Sequence, residues 1–172
     1  MNVYDFYIPI YESLEKVTPL KKDCGVLCGA ACCKDGDEKT GMLLFPFEEK
    51  VLGGVDFATI ELSNCEYGET ETAKLFFCDG TCDRALRPLA CRIFPLMPYL
   101  KNDKLTLIMN PMAKHLCPLA RSLKVSDLEP NFVKNVKKAM NRIMKLKDGK
   151  DYILMLTEIA DDFVNINNQF SK

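Results

Sequence analysis

Eight of the nine cysteines in this 172-residue chain fall in groups whose spacing suits a thiolate metal centre. The first group reads Cys24-Gly-Val-Leu-Cys28-Gly-Ala-Ala-Cys32-Cys33; the second opens with Cys78-Asp-Gly-Thr-Cys82 and continues to Cys91 and Cys117. Thiolates are soft ligands, suited to zinc or to an iron–sulfur cluster. On one continuous helix Cys24, Cys28 and Cys32 would share a face but rise about 6 Å from each to the next. Sulfurs on a single tetrahedral zinc stand roughly 3.8 Å apart. The chain is therefore expected to turn around the site, and Gly25 and Gly29, each directly after a cysteine, permit it. Asp79-Gly80 supplies a second turn that can bring Cys78 and Cys82 onto one ion. Adjacent Cys32 and Cys33 point in different directions, so one of them serves a second metal or stays spare.

Cellular compartment decides between ligands and disulfides. Nine cysteines in 172 residues lie below the roughly 8–10 % of a disulfide scaffold, and the number is odd. The opening Met1-Asn-Val-Tyr-Asp-Phe-Tyr-Ile-Pro has neither the basic stretch nor the long apolar stretch of a secretory signal. A cytoplasmic location is expected, and there such groups are metal ligands or redox thiols. A formal net charge of -1 gives no reason to expect nucleic acid as a partner. No apolar run approaches the length of a membrane span, so no membrane partner is expected. The lysines at 134, 137, 138, 145, 147 and 150 read as a solvated helix face rather than a nucleic-acid patch.

The remaining chemistry-bearing residues receive plainer readings. Cys65, isolated in Asn64-Cys65-Glu66, reads as an ordinary thiol beside a turn. His115, the single histidine, reads as a loop residue, which makes histidine-dependent hydrolysis improbable. Glu48 and Glu49 read as acids at the start of a helix, where the dipole favours them. A zinc bound by four thiolates carries a net charge of −2. Arg84, Arg87 and Arg92 lie close in sequence, and Arg87 and Arg92 bracket Cys91; these two are expected to donate toward sulfur and offset that charge. Phosphate-binding glycine loops, nucleophile elbows, zinc-protease motifs and dinucleotide fingerprints are absent from the sequence, so nothing specific argues for an enzyme.

Cys28-Gly-Ala-Ala-Cys32-Cys33 and Arg87-Pro88-Leu-Ala-Cys91-Arg92-Ile-Phe94-Pro95 resemble the marker elements of a bacterial and archaeal family of zinc- or iron-chelating cysteine-rich proteins. The opening has one extra residue in two of its gaps. The resemblance spans roughly Cys24 to Cys117 and implies metal chelation; it names no substrate or pathway. Related cysteine motifs occur in flagellin lysine N-methylases, which are considerably longer.

The elements that must position these residues can be read from periodicity. Tyr7, Ile10, Leu14 and Val17 recur at helical spacing, with Pro9 expected in the opening turn. A Gly-rich irregular stretch follows from Cys24 to about Gly54, with a short helix near Pro46. Strands are predicted at Phe57–Leu62, Thr72–Phe77 and Leu105–Met109. Pro88, Pro95, Pro98, Pro111 and Pro118 suggest a backbone held by something other than ladder hydrogen bonds, such as a metal centre. Two apolar stripes, Phe132 to Met144 and Tyr152 to Phe170, flank a turn at Asp148-Gly149 and predict a C-terminal helical hairpin, its first helix opening at Pro130.

The expected fold is α+β in a single domain over 1–172: a small, irregular, metal-organised β core with flanking helices at about 20–120, and the hairpin at about 126–172. The expected function is non-catalytic metal binding, with zinc stabilising the fold or a surface for a protein partner. An iron–sulfur redox or sensor protein is the alternative, and an accessory relative of a protein lysine methylase a weaker one.

Overall fold

The computed structural model describes residues 2–34, 41–80, 82 and 84–170. The expected α+β class holds: helices and two antiparallel sheets alternate along the chain. In order these are α1 (Val3–Glu15), α2 (Gly25–Cys28), α3 (Ala31–Lys34), β1 (Met42–Leu44), α4 (Glu49–Leu52), β2 (Ala58–Tyr67) and β3 (Glu71–Cys78). Then come α5 (Leu89–Ile93), β4 (Leu96–Lys101), β5 (Lys104–Met109), α6 (Pro118–Ser122), α7 (Pro130–Ile143) and α8 (Gly149–Phe170). Short 3-10 turns at Arg84–Leu86, Pro111–His115 and Val125–Asp127 join them. Part of the irregular stretch expected after Cys24, residues 35–40, lies outside the described residues.

Helix α1 differs from its expectation at Pro9, which sits in mid-helix rather than in the opening turn. A helix-interior proline removes one backbone bond and costs about 3 kcal/mol. The carbonyl it would leave idle is that of Asp5, four residues back, and Arg142 of α7 donates to this oxygen at 3.2 Å. The same guanidinium lies 5.0 Å from the ring centre of Phe6. A tertiary contact thus offsets a local penalty. The helix buries Phe6, Tyr7, Ile10, Tyr11 and Leu14 and ends before Val17.

Strands β1, β3 and β2 form one sheet in that order; β4 and β5 form a separate ribbon. The three predicted strands appear, two within a residue of their expected limits and β2 running five residues past its expected end, while β1 and β4 were not foreseen. Strand β4 contains Pro98, yet its ladder with β5 runs unbroken from Leu96 opposite Met109 to Lys101 opposite Lys104. Alternation explains the tolerance. Leu100 turns its N–H away from β5 to the Thr157 hydroxyl of α8, 2.9 Å away, and Pro98, two residues earlier, faces the same side. The expectation that this proline-rich stretch lacks ladder bonds is thereby corrected for residues 96–109.

Helix α7 starts at Pro130 as expected and turns a strong apolar face inward, with Phe132, Val136, Met140 and Ile143 fully buried. Its main neighbours are α1 and β5, whereas α8 lies along β4. The C-terminal helices therefore pack around the ribbon. The second apolar stripe is buried only over its first half: Tyr152, Ile153 and Leu156 enter the core, but Ile166 and Phe170 are exposed. One large core joins α1, α7, α8 and both sheets. A smaller apolar cluster of Ala113, Cys117, Leu119 and Ala120, with Leu20, Cys24 and Phe94 against it, adjoins the large core through Met109 and Leu123. No described helix is long and apolar enough to cross a membrane.

Candidate metal centre

The cysteines are carried by short elements that could not stand alone. Cys28 ends α2, and Gly29 closes that helix in the left-handed conformation at φ 61°. Ala30 is also left-handed at φ 58°, so α3 sets off in a new direction with Cys32 and Cys33 on it. This is the turn expected from Gly29, made by two residues rather than one. The Gly25 amide is instead held by the Asp23 carboxylate at 2.9 Å.

Cys78 is the last residue of β3, paired with Ala58. Gly80 follows at φ 84° and passes so close to α3 that an added Cβ would stand 2.5 Å from the Cys33 carbonyl oxygen. The expected Asp79-Gly80 turn is therefore also the contact between the two cysteine groups. Thr81 and Asp83, beside Cys82, lie outside the described residues. Cys91 sits in α5, and Cys117 caps α6 ahead of Pro118.

The eight cysteines gather around two neighbouring cavities. One, of about 20 Å³, is lined by Cys24, Cys28, Cys32 and Cys117 with apolar residues around them. The other, of about 130 Å³, is lined by Cys32, Cys33, Cys78, Cys82 and Cys91, together with Arg87. Cys32 borders both. Phe94 and Leu116 form part of each wall. The sequence grouping is thus rearranged in space: Cys117 joins the N-terminal cysteines, and Cys33 joins the later ones. All nine cysteines are unpaired. Among the described residues no three Cys, His, Asp or Glu side chains converge closely enough to hold an ion as they stand. The sulfurs ring cavities; to share an ion they would have to close inward.

Crowded thiols in an apolar setting resist ionisation. Cys91 is pushed up by burial and then by Cys78, Cys33 and Cys82, with Arg87 opposing. Cys24 is raised by burial, with Asp23, Cys117 and Cys28 adding to it. Cys32 is raised because it donates to Cys33, and burial reinforces this. Cys33, accepting that bond, is lowered to about 6 against the cost of burial, with help from Arg87. A bound cation would favour the thiolate form of each.

Arg87 stands where the sequence placed it, beside the thiols. Burial lowers its affinity for a proton, but a hydrogen bond to Cys82 and the nearness of Cys33 and Cys91 raise it overall. Its Nε is buried with no partner. Arg92 differs from expectation. Arg92 donates to the carbonyls of Arg87 at 2.6 Å, Ala85 at 2.7 Å and Tyr11 at 3.5 Å, and stacks 4.2 Å from the Tyr11 ring centre. It shapes the loop that presents Arg87 and lines neither cavity. Arg84 donates to Glu15 at the end of α1, where a cation suits the helix dipole.

Sequence reasoning missed Glu48. It does precede α4 as expected, but its carboxylate is fully buried. One oxygen accepts from the Tyr11 hydroxyl and from the Leu89 amide, both at 2.6 Å; the other accepts from the Phe45 amide at 2.9 Å. The Leu89 amide opens α5, so Glu48 anchors the helix that carries Cys91. The only local signal is the spacing Phe45-x-x-Glu48, half of a capping box.

The cysteine expected beside a turn is instead a strand residue. Cys65 lies in β2 at the irregularity between Leu62 and Glu66, and it lines neither cavity. His115 is exposed, with its ring edge-on to Phe163 at 5.9 Å. Comparison of the chain with protein-family models, with curated proteins and with solved structures gives no match.

Proposed function

We propose that this chain is a non-catalytic thiolate metal-binding protein of a reducing compartment. In this reading zinc, held by Cys24, Cys28, Cys32, Cys33, Cys78, Cys82, Cys91 and Cys117, orders one end of the molecule. The observation that carries the reading is the sorting of eight cysteines around two adjacent cavities, four to each once Cys32 is assigned to the smaller. Four thiolates are the donor set of a closed structural zinc site. Arg87, with an unpartnered buried Nε beside Cys33, Cys82 and Cys91, supports it, because a tetrathiolate site is anionic and needs such an offset. Binding would also supply order that α2, α3, α5 and α6 cannot supply themselves, since four- and five-residue helices are far below the length that is stable alone.

Val26 and Leu27 of α2 are exposed beside the first group, and zinc would hold them out as a surface for a protein partner. The resemblance to zinc- or iron-chelating cysteine-rich proteins agrees with this reading. The larger cavity favours one further reading, an iron–sulfur cluster with a redox or sensing role, for which thiolates and a nearby hydrogen-bond donor are equally suitable.

The test is metal analysis of full-length protein made and kept without oxygen. Zinc near two per chain in a colourless sample supports the first reading. Brown protein with iron and acid-labile sulfide supports the second. Folded protein with neither metal, under conditions where both were supplied, contradicts both. Oxygen must be excluded because an exposed cluster decays in air and zinc then fills the emptied thiolates.

A further inference from the structure

We propose that the two cysteine groups form one linked unit that fills and empties together. This rests on the metal-binding reading and concerns how that site is regulated. The junction is Cys32–Cys33. These two residues are consecutive on α3, a helix of four residues, yet Cys33 belongs to the larger cavity and Cys32 borders both. An ion that fixes Cys32 fixes the backbone of α3, and with it the position of Cys33.

Further contacts tie the groups. Gly80, from the turn between Cys78 and Cys82, abuts the Cys33 carbonyl and so holds α3, which also carries Cys32, against the larger group. Leu116, adjacent to Cys117 of the smaller cavity, forms part of the wall of the larger. Phe94, three residues after Cys91 of the larger cavity, forms part of the wall of the smaller. Each group therefore lends a surface to the other, and the order gained when one ion binds is order the second need not supply.

Charge opposes this linkage. Two tetrathiolate zinc sites would each carry −2 and repel at such short range. Arg87 lines the larger cavity together with Cys33, Cys82 and Cys91, and its charge reduces that repulsion. With the shared helix on one side and an offset charge on the other, linkage prevails, and partial loading is the unfavourable state. Oxidation of two thiolates of either group to a disulfide by hydrogen peroxide, whose O–O bond takes the two electrons and two protons to become two waters, would then release both ions, which makes the unit all-or-none in its response to peroxide.

The experiment titrates the reduced, metal-free full-length chain with zinc(II) under nitrogen and counts ions per chain by native mass spectrometry. At one equivalent the expected population is mostly metal-free and two-zinc chains, with the one-zinc form under a fifth of the total. A one-zinc form that dominates at one equivalent would overturn the linkage while leaving metal binding intact. Two variants provide a second readout, since each touches one group only. Cys117→Ser and Cys91→Ser should each weaken binding at the untouched group tenfold or more; retention of one zinc at wild-type affinity in both would overturn the proposal. A wild-type chain that takes up no zinc and no iron contradicts the metal-binding reading itself, and the linkage with it.

Discussion

The β4–β5 ribbon and the cysteine-bearing end both accommodate proline, yet different forces hold them. In the ribbon Pro98 is accommodated because its missing donor faces away from β5, on the side where Leu100 bonds to Thr157 of α8, and Leu96, Met97 and Leu100 of β4 are buried. Fully burying one large apolar side chain there contributes roughly 1.5–3 kcal/mol. At the other end the elements are single turns, the apolar cluster around Cys117 is small, and thiols occupy the space that a core would fill with leucine. One region is complete as a packed structure. The other has the inventory of a coordination site, and we propose that the ion it binds is what organises it.

The largest expected effect follows from removing the metal. Stripping it from reduced protein should abolish amide protection in residues 25–34 and 89–93 while β4, β5 and α7 retain theirs, as read by hydrogen exchange. Binding free energies of structural zinc sites run to about 10 kcal/mol or more, so the loss should be complete. Uniform loss across the ribbon as well would erase the distinction between the two regions. The converse substitution is Phe132→Ala, which empties the main core; it should cost about 3–5 kcal/mol in denaturant unfolding. Metal per folded chain should be unchanged, because Phe132 borders neither cavity.

The two regions also differ in how far their sequences could be read. Helix α7 declares itself by period, since one face is apolar, and strands β2, β3 and β5 by their β-branched and aromatic residues. Strand β4 did not, because Pro98 argues against a strand unless the side it faces is known. Pro9 misled for the same reason: Arg142, which satisfies the Asp5 carbonyl, is 137 residues away in sequence. The cysteines as a candidate site were legible from spacing alone, but their division was not. That division depends on the left-handed pair Gly29-Ala30 and on the close pass of Gly80, both of which are tertiary facts. Glu48 was hidden because its partners Tyr11 and Leu89 lie 37 and 41 residues away.

Smaller effects sharpen the comparison. Glu48→Gln replaces an acceptor with a donor amid three groups that need acceptors and should cost about 1–3 kcal/mol, with weaker metal retention through α5. Burial raises Glu48 to about 6, against bonds from Tyr11, Leu89 and Phe45 that lower it. The folded state therefore holds this proton more tightly than the unfolded chain. The resulting stabilisation is full at low pH and is lost as pH rises between about 4.5 and 6. Unfolding free energies measured across that interval should show this slope in the wild type and lack it in Glu48→Gln. Arg87→Gln should lower zinc affinity severalfold at the larger cavity, and Arg87→Lys should recover part of it, by competition with a chromophoric chelator. Cys65→Ser should change stability by less than about 1 kcal/mol and leave metal content alone.

The most direct test of thiolate coordination is X-ray absorption at the metal edge of protein prepared without oxygen. The expected coordination shell is made only of sulfur, four per ion at about 2.3 Å. A shell containing nitrogen or oxygen ligands near 2.0–2.1 Å would place the metal elsewhere and contradict the proposal.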